Sequence, residues 1–239
     1  MNARLRHLVG ATVIPVVLVV LSFVTLTARA TPATTSSTVA WIDDFDGSTL
    51  NSRWSWTREN PAHWSLTARP GFLRITTEYG GLWGALNNQR NLLLATAPNG
   101  NFRIETRVTF TPTQFIQTAG LIIYQDDDNY IKLNRQFVDN NVVELIREIA
   151  GSPSFTAVVE SANTVYLRMQ RDGNVYTGYY SVDGNQWTRV GQYTATLNDA
   201  KMGLGAGNDV PDVSEIAADF DFFRLDDKIY RVMLPLILK

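Results

Sequence analysis

Residues 119–133 read AGLIIYQDDDNYIKL, and the reading of this stretch decides the fold. Two β-type runs, 121–124 and 130–133, flank Gln125-Asp126-Asp127-Asp128-Asn129. Ile122, Ile123, Tyr130 and Ile131 favour a pleated, half-buried surface. Asp and Asn bond nearby backbone and tolerate left-handed φ, so the polar segment predicts a turn. The stretch is therefore expected to be a hairpin with an acidic, solvated tip. Gly120 predicts a close backbone approach or a bulge.

The same strand logic extends outward. Phe102, Ile104, Thr106, Val108 and Phe110 alternate with Arg103, Glu105, Arg107 and Thr109, which predicts a strand with one buried face. Val165, Leu167 and Met169 alternate in the same way, and Asp172-Gly173 and Asp183-Gly184 predict hairpin turns. Further strands are expected at 39–45, 72–76, 142–149, 156–159, 175–182, 187–190 and 218–225. No long amphipathic helix is evident. Many short strands with Gly, Asp and Asn turns indicate an all-β sandwich or barrel.

The 239 residues suffice for a substantial core, and the chain has no cysteine, so disulfides and thiolate metal sites are excluded. Arg4 and Arg6, the apolar run 8–26 and Ala28-Arg29-Ala30 read as a secretory signal peptide over residues 1–30. The alternative is an N-terminal membrane anchor, because the run approaches the ~20 residues needed to span. Either reading places the remainder outside the cytoplasm, secreted or attached to the cell surface. Removing residues 1–30 takes away three arginines and no acid, lowering 21 basic residues to 18 against 23 acidic ones, a net charge of −5. With no Lys/Arg cluster, nucleic acid is excluded as a partner. A membrane partner is expected only if the N-terminal segment stays uncleaved. His63 is the one histidine beyond that segment, which excludes multi-histidine metal sites.

Residues 31–38 (TPATTSST) read as a linker, 39–226 as the folded domain, and 227–239 as an apolar C-terminal tail behind the charged break Asp226-Asp227-Lys228. The tail is too short to span a membrane. It is expected to lie against the domain or a partner, or to serve surface attachment.

Several stretches together resemble one family. They are Asp43-Asp44-Phe45 with Gly47 and Leu50, then residues 64–71 (WSLTARPG), then Phe115, Gln117, Ala119-Gly120-Leu121 and Tyr124. Residues 180–184 (YSVDG) and 218–223 (ADFDFF) complete the set. In this order they look like the C-terminal concanavalin A-like domain of family 43 β-xylosidases. The resemblance implies a jelly-roll sandwich of two antiparallel sheets. It also implies an accessory role beside a separate catalytic propeller, with one loop closing that partner's pocket. The corresponding loop would be 201–207 (KMGLGAG), which carries no aromatic to reach a pocket.

Glycoside hydrolysis needs two carboxyls ~5–9.5 Å apart. Glu144 and Glu148 stand ~13 Å apart on an extended strand. Asp219 and Asp221 have suitable period-two spacing but belong, by the resemblance, to a structural strand. No catalytic pair is identified, so a non-catalytic module for a plant polysaccharide such as xylan is the first expectation. A hydrolase of pentose-containing oligosaccharides and a structural surface protein are the alternatives. Residues 181–187 (SVDGNQW) echo a sialidase aspartate box, or else make a plain hairpin with Trp187 packed back on the sheet.

Sugar sites join an aromatic platform to a few polar groups. Trp83, in a Gly/Asn-rich loop, and Tyr124, Gln125, Asp126, Tyr130 and Lys132 around the hairpin tip are the candidate binding residues. Tyr166, Arg168, Tyr176 and Tyr180 are expected to share one face, while Trp54, Trp56 and Trp187 are read as core. If the first and last strands pair, Asp44 and Asp221 become candidate ligands for a structural calcium. Otherwise these acids cap strands or pair with arginines.

Overall fold

The strict alternation at 102–110 becomes β6 (Phe102–Thr109), with Phe102, Ile104, Thr106 and Val108 inaccessible to solvent. Around it the computed structural model describes residues 34–232. The signal-peptide reading and the end of the tail lie outside the described residues. Strands follow in order as β1 (Thr34–Asp43), β2 (Ser55–Thr57), β3 (Trp64–Ser65), β4 (Leu73–Thr76) and β5 (Leu92–Thr96). After β6 come β7 (Gln117–Asp126), β8 (Asn129–Phe137), β9 (Asn141–Ile149) and β10 (Ser152–Val159). Then come β11 (Thr164–Asp172), β12 (Val175–Ser181), β13 (Thr188–Thr194), β14 (Lys201–Asn208) and β15 (Ala217–Val232). Apart from a 3-10 turn at Pro61–His63, the described residues contain no helix.

Two antiparallel sheets result, as expected. One runs β13-β12-β11-β6-β15-β4-β3, with β1 also paired to β15. The other runs β10-β9-β8-β7-β14-β5-β2. Their inner faces meet in one core. It holds Leu121, Ile123, Ile131 and Leu133 from the opening hairpin, and Val165, Leu167, Met169, Phe220 and Phe223 from the facing sheet. Each such side chain contributes about 1.5–3 kcal/mol on burial. Trp41, Trp54 and Phe223 pack with ring centroids 4.7–5.5 Å apart. Trp54 Nε1 donates to Asp43 Oδ2 at 2.8 Å, which gives that aspartate a structural task.

Five expectations need correction. β1 begins at Thr34, within the expected linker, because Thr34 pairs with Val232 and extends the β1–β15 ribbon. Asp226-Asp227-Lys228 is no break. Asp226 is fully buried, paired with Arg103 and Arg224, so its charge is met and β15 runs through. Residues 201–207 are not a loop but most of β14, between β5 and β7. Tyr176 and Tyr180 pack in or against the core, whereas Tyr166 and Arg168 face outward around Trp187. Trp187 thus lies on the outer face, with the Arg168 guanidinium 3.5 Å from its ring centroid. The turn before it is held by Asp183 Oδ1, which accepts from the Asn185 and Gln186 amides.

Candidate functional site

The outer face of the seven-stranded sheet is not solvated throughout. Outward-facing Leu92, Leu94, Ile122, Tyr124, Tyr130 and Ile146 join Leu82 in a second buried cluster. What covers them is the segment 77–91, which crosses this face between β4 and β5. β14 makes room for it. Its outward positions are Gly203, Gly205 and Gly207, and a Cβ at Gly205 would lie 2.8 Å from Leu92 Cδ2 and 3.1 Å from Gln89 Nε2. Gly120, on neighbouring β7, is a close approach too: a Cβ there would lie 2.1 Å from the Leu133 carbonyl oxygen.

The covering segment is fastened by polar bonds. Gly84 N donates to Glu148 Oε2 at 3.1 Å, and Lys132 Nζ donates to Gln89 Oε1 at 3.1 Å. Asn87 Nδ2 donates to Asp128 Oδ1 at 2.8 Å. Asn88 and Gln89 amides both bond the Gly81 carbonyl. Asn87 and Asn91 adopt φ of 40° and 50°, a region Asn tolerates better than most residues. The result is a braced loop that presents Trp83, 41% exposed, at its crest.

Beside Trp83 opens a cleft of about 510 Å³. Its walls are Trp83, Leu86, Phe115, Ile116, Val138, Ile146 and Phe155. Trp83 and Phe155 pack together as a tilted pair, with ring centroids 6.0 Å apart and ring planes at 59°. Gln136, Glu144 and Asp209 supply the polar lining. Gln136 Nε2 donates to Glu144 Oε2 at 2.9 Å, so the amide orients the carboxylate. Asp209 Oδ1 is buried without a hydrogen-bond partner.

Beneath this lining the electrostatics are unusual. Burial pushes the Glu144, Glu148 and Asp209 carboxyls up, although Lys132 pulls each back. Glu148 is also held down by hydrogen bonds from Tyr130 Oη and Gly84 N. Burial lowers the Lys132 ammonium, opposed by all three acids. Three carboxyls thus surround one buried ammonium. The arrangement offers hydrogen-bond acceptors and flat apolar surface, the combination that suits a polyol with an apolar face.

The candidate residues distribute unevenly across this geometry. Trp83 lines the cleft. Tyr130 is 1% exposed and Tyr124 8% exposed, so neither ring offers a flat surface to solvent. Tyr130 Oη donates to Glu148 at 2.7 Å, and burial first, then that bond, raises its phenol strongly. Burial and a bond to Asp127 push the Tyr124 phenol up to about 12. Lys132 is likewise buried beneath the loop. Gln125 and Asp126 serve the hairpin: Gln125 accepts from the Asn198 amide, and Asp126 from the Asp128 amide and Asn129. Nor is the tip simply solvated, because Asp127 takes both Arg58 guanidinium nitrogens at 2.8 and 3.0 Å. The hairpin therefore supports the site from beneath rather than bordering it.

Although β1 and β15 do pair, Asp44 is exposed and Asp221 is bonded to Arg107 at 2.9 Å. Asp219 is held by Arg69 and Arg74. No group of three or more acidic or histidine side chains suited to a metal occurs among the described residues.

Sequence reasoning passes over Phe155, Gln136 and Asp209, quotes Phe115 only for the resemblance, and weighs Glu144 only as a catalytic acid. One signal was present: Val142, Glu144, Ile146 and Glu148 share a face of β9, so acids alternate with apolar residues on a strand buried on both sides.

The family described as the beta-xylosidase C-terminal concanavalin A-like domain matches residues 42–226. A protein of Escherichia coli (strain K12) named a candidate beta-xylosidase is 34% identical over 206 residues, covering 77% of this chain and 38% of that protein. The xylan 1,3-beta-xylosidase of a Vibrio species is 26% identical over 151 residues, covering 61% of this chain and 27% of that one. Among solved structures, the GH43 BlXynB protein of Bacillus licheniformis has a TM-score of 0.71 at 23% identity, covering 77% of this chain and 38% of that one. That likeness concerns the fold. The chain spans well under half the length of these relatives.

Proposed function

The chain belongs to the family of beta-xylosidase C-terminal concanavalin A-like domains, and from that premise we propose that it is a secreted, non-catalytic carbohydrate-binding or accessory module acting on xylan-type polysaccharide. One observation carries this reading: the braced cleft lined by the tilted Trp83–Phe155 pair and by the Gln136–Glu144 pair. Pentose rings present a C–H face that stacks on such rings, and hydroxyls that donate to carboxylate oxygens. The Vibrio relative, named for action on xylan, points to the same class of sugar.

Titrating the full chain with xylo- and arabino-oligosaccharides, read by tryptophan fluorescence, tests it. Saturable quenching is expected, and Trp83→Ala should weaken binding by ~1–2 kcal/mol, about tenfold. No binding to any pentose chain overturns the reading.

A hydrolase reading has one observation behind it. Glu144 and Asp209, both raised by burial, line the same cleft. Release of reducing sugar by the wild type, abolished in Glu144→Gln, would replace the binding role with a catalytic one.

A further inference from the structure

We propose that this cleft selects neutral pentose chains and rejects those carrying a uronate side group, an inference that rests on the glycan-binding reading above. The lining holds two carboxyl side chains, Glu144 and Asp209, and no basic one. Glu144 is 96% buried in effect, at 4% exposure, and only its Oε2 is engaged, by Gln136. Asp209 lines the same cleft but tucks against Gly81 of the covering segment, where its Oδ1 is closed off without a partner, so it adds a second buried carboxyl rather than a second open acceptor. Beneath them Glu148 adds a third carboxyl, its Oε1 also unpartnered.

The one ammonium in this cluster, Lys132, is not offered to a ligand. It is 6% exposed, does not line the cleft, and donates to Gln89 of the covering loop. A hydroxyl entering here finds the Glu144 carboxyl and donates its proton to it. A uronate brings only acceptor oxygens and a negative charge. It would lose its water without gaining a donor, and would meet like charge in a poorly solvated place. The same lining therefore favours one class of xylan segment and disfavours the other.

The test compares three ligands on the full chain at about pH 9, because burial raises Glu144 and Asp209 above the ordinary carboxyl range. They are xylotetraose, xylotetraose bearing one arabinose, and xylotetraose bearing one glucuronic acid. The wild type should bind the first two alike and the third at least about tenfold more weakly. Glu144→Gln, or Asp209→Asn where the first variant does not fold, should bring the third towards the other two. Equal affinity for all three overturns the inference and leaves the module reading standing. Weak binding of both branched ligands makes the discrimination steric and overturns it too, as does a charge discrimination that neither variant alters. Absence of binding by all three removes both readings.

Discussion

Asp219 lies between two arginines on β15, bonded to Arg74 at 2.7 and 2.9 Å and to Arg69 at 3.1 Å. Burial alone would raise its carboxyl. The hydrogen bonds from Arg74 and Arg69 outweigh burial and hold it below the ordinary 3.8. A depressed folded value gives stability that is fully present above 3.8 and is lost as pH falls through the folded value. Both arginines are about a third exposed, so the net contribution is modest. Asp219→Asn should cost about 1–3 kcal/mol near pH 7, and the gap should narrow as pH falls below 3.8. Urea midpoints of both proteins across that range check it, and a gap constant with pH contradicts the assignment. The same scale accounts for Asp226, whose arginine partners let a charged triplet continue a strand.

β14 shows how a neighbouring element writes itself into a strand. Its inward positions Met202, Leu204 and Ala206 are core, while its outward positions are glycines, Gly203 against the backbone of β5 and Gly205 and Gly207 under the covering loop. A Cβ at Gly203 would stand 1.8 Å from the Leu93 carbonyl oxygen, which is backbone of the adjacent strand. At Gly205 the first obstacle is a leucine methyl, which can rotate. Gly203→Ala should therefore destabilise by ~1–3 kcal/mol or more, and Gly205→Ala by clearly less. Thermal or urea unfolding of the two variants decides, and equal stabilities would contradict the packing described. This explains what the sequence could and could not disclose. The hairpin at 119–133 and β6 were legible because each has an apolar inner face with period two. β14 was not, since glycine reads as loop when the reason for it is a segment far away in the chain. The tyrosines of the hairpin were misplaced for a related reason. Their strands, β7 and β8, are buried on both faces, and only the covering loop, which pattern alone does not locate, makes them so.

At the scale of the molecule the two sheets have different outer faces. The eight-stranded sheet carries an ion-pair lattice, with Arg103, Glu105, Arg168 and Asp226 bonded across β6, β11 and β15. The seven-stranded sheet instead carries a second apolar cluster and the cleft. The cleft's parts come from four separate connections and strands, Trp83, Phe115, Phe155 and Asp209, so no local motif could announce them. Of the candidate residues, Trp83 alone lines it, because a tryptophan in a Gly/Asn loop is a local signal and the others needed the tertiary arrangement. The central claim is that this cleft is where a pentose chain binds. Backbone amide chemical shifts of the full, isotope-labelled chain, followed while xylohexaose is added, test it most directly. Saturable shifts should gather at Trp83, Gln136, Ile146 and Phe155, and be absent around Arg168 and Trp187 on the opposite sheet. Shifts centred on Trp187, or no shifts at saturating sugar, would contradict the account.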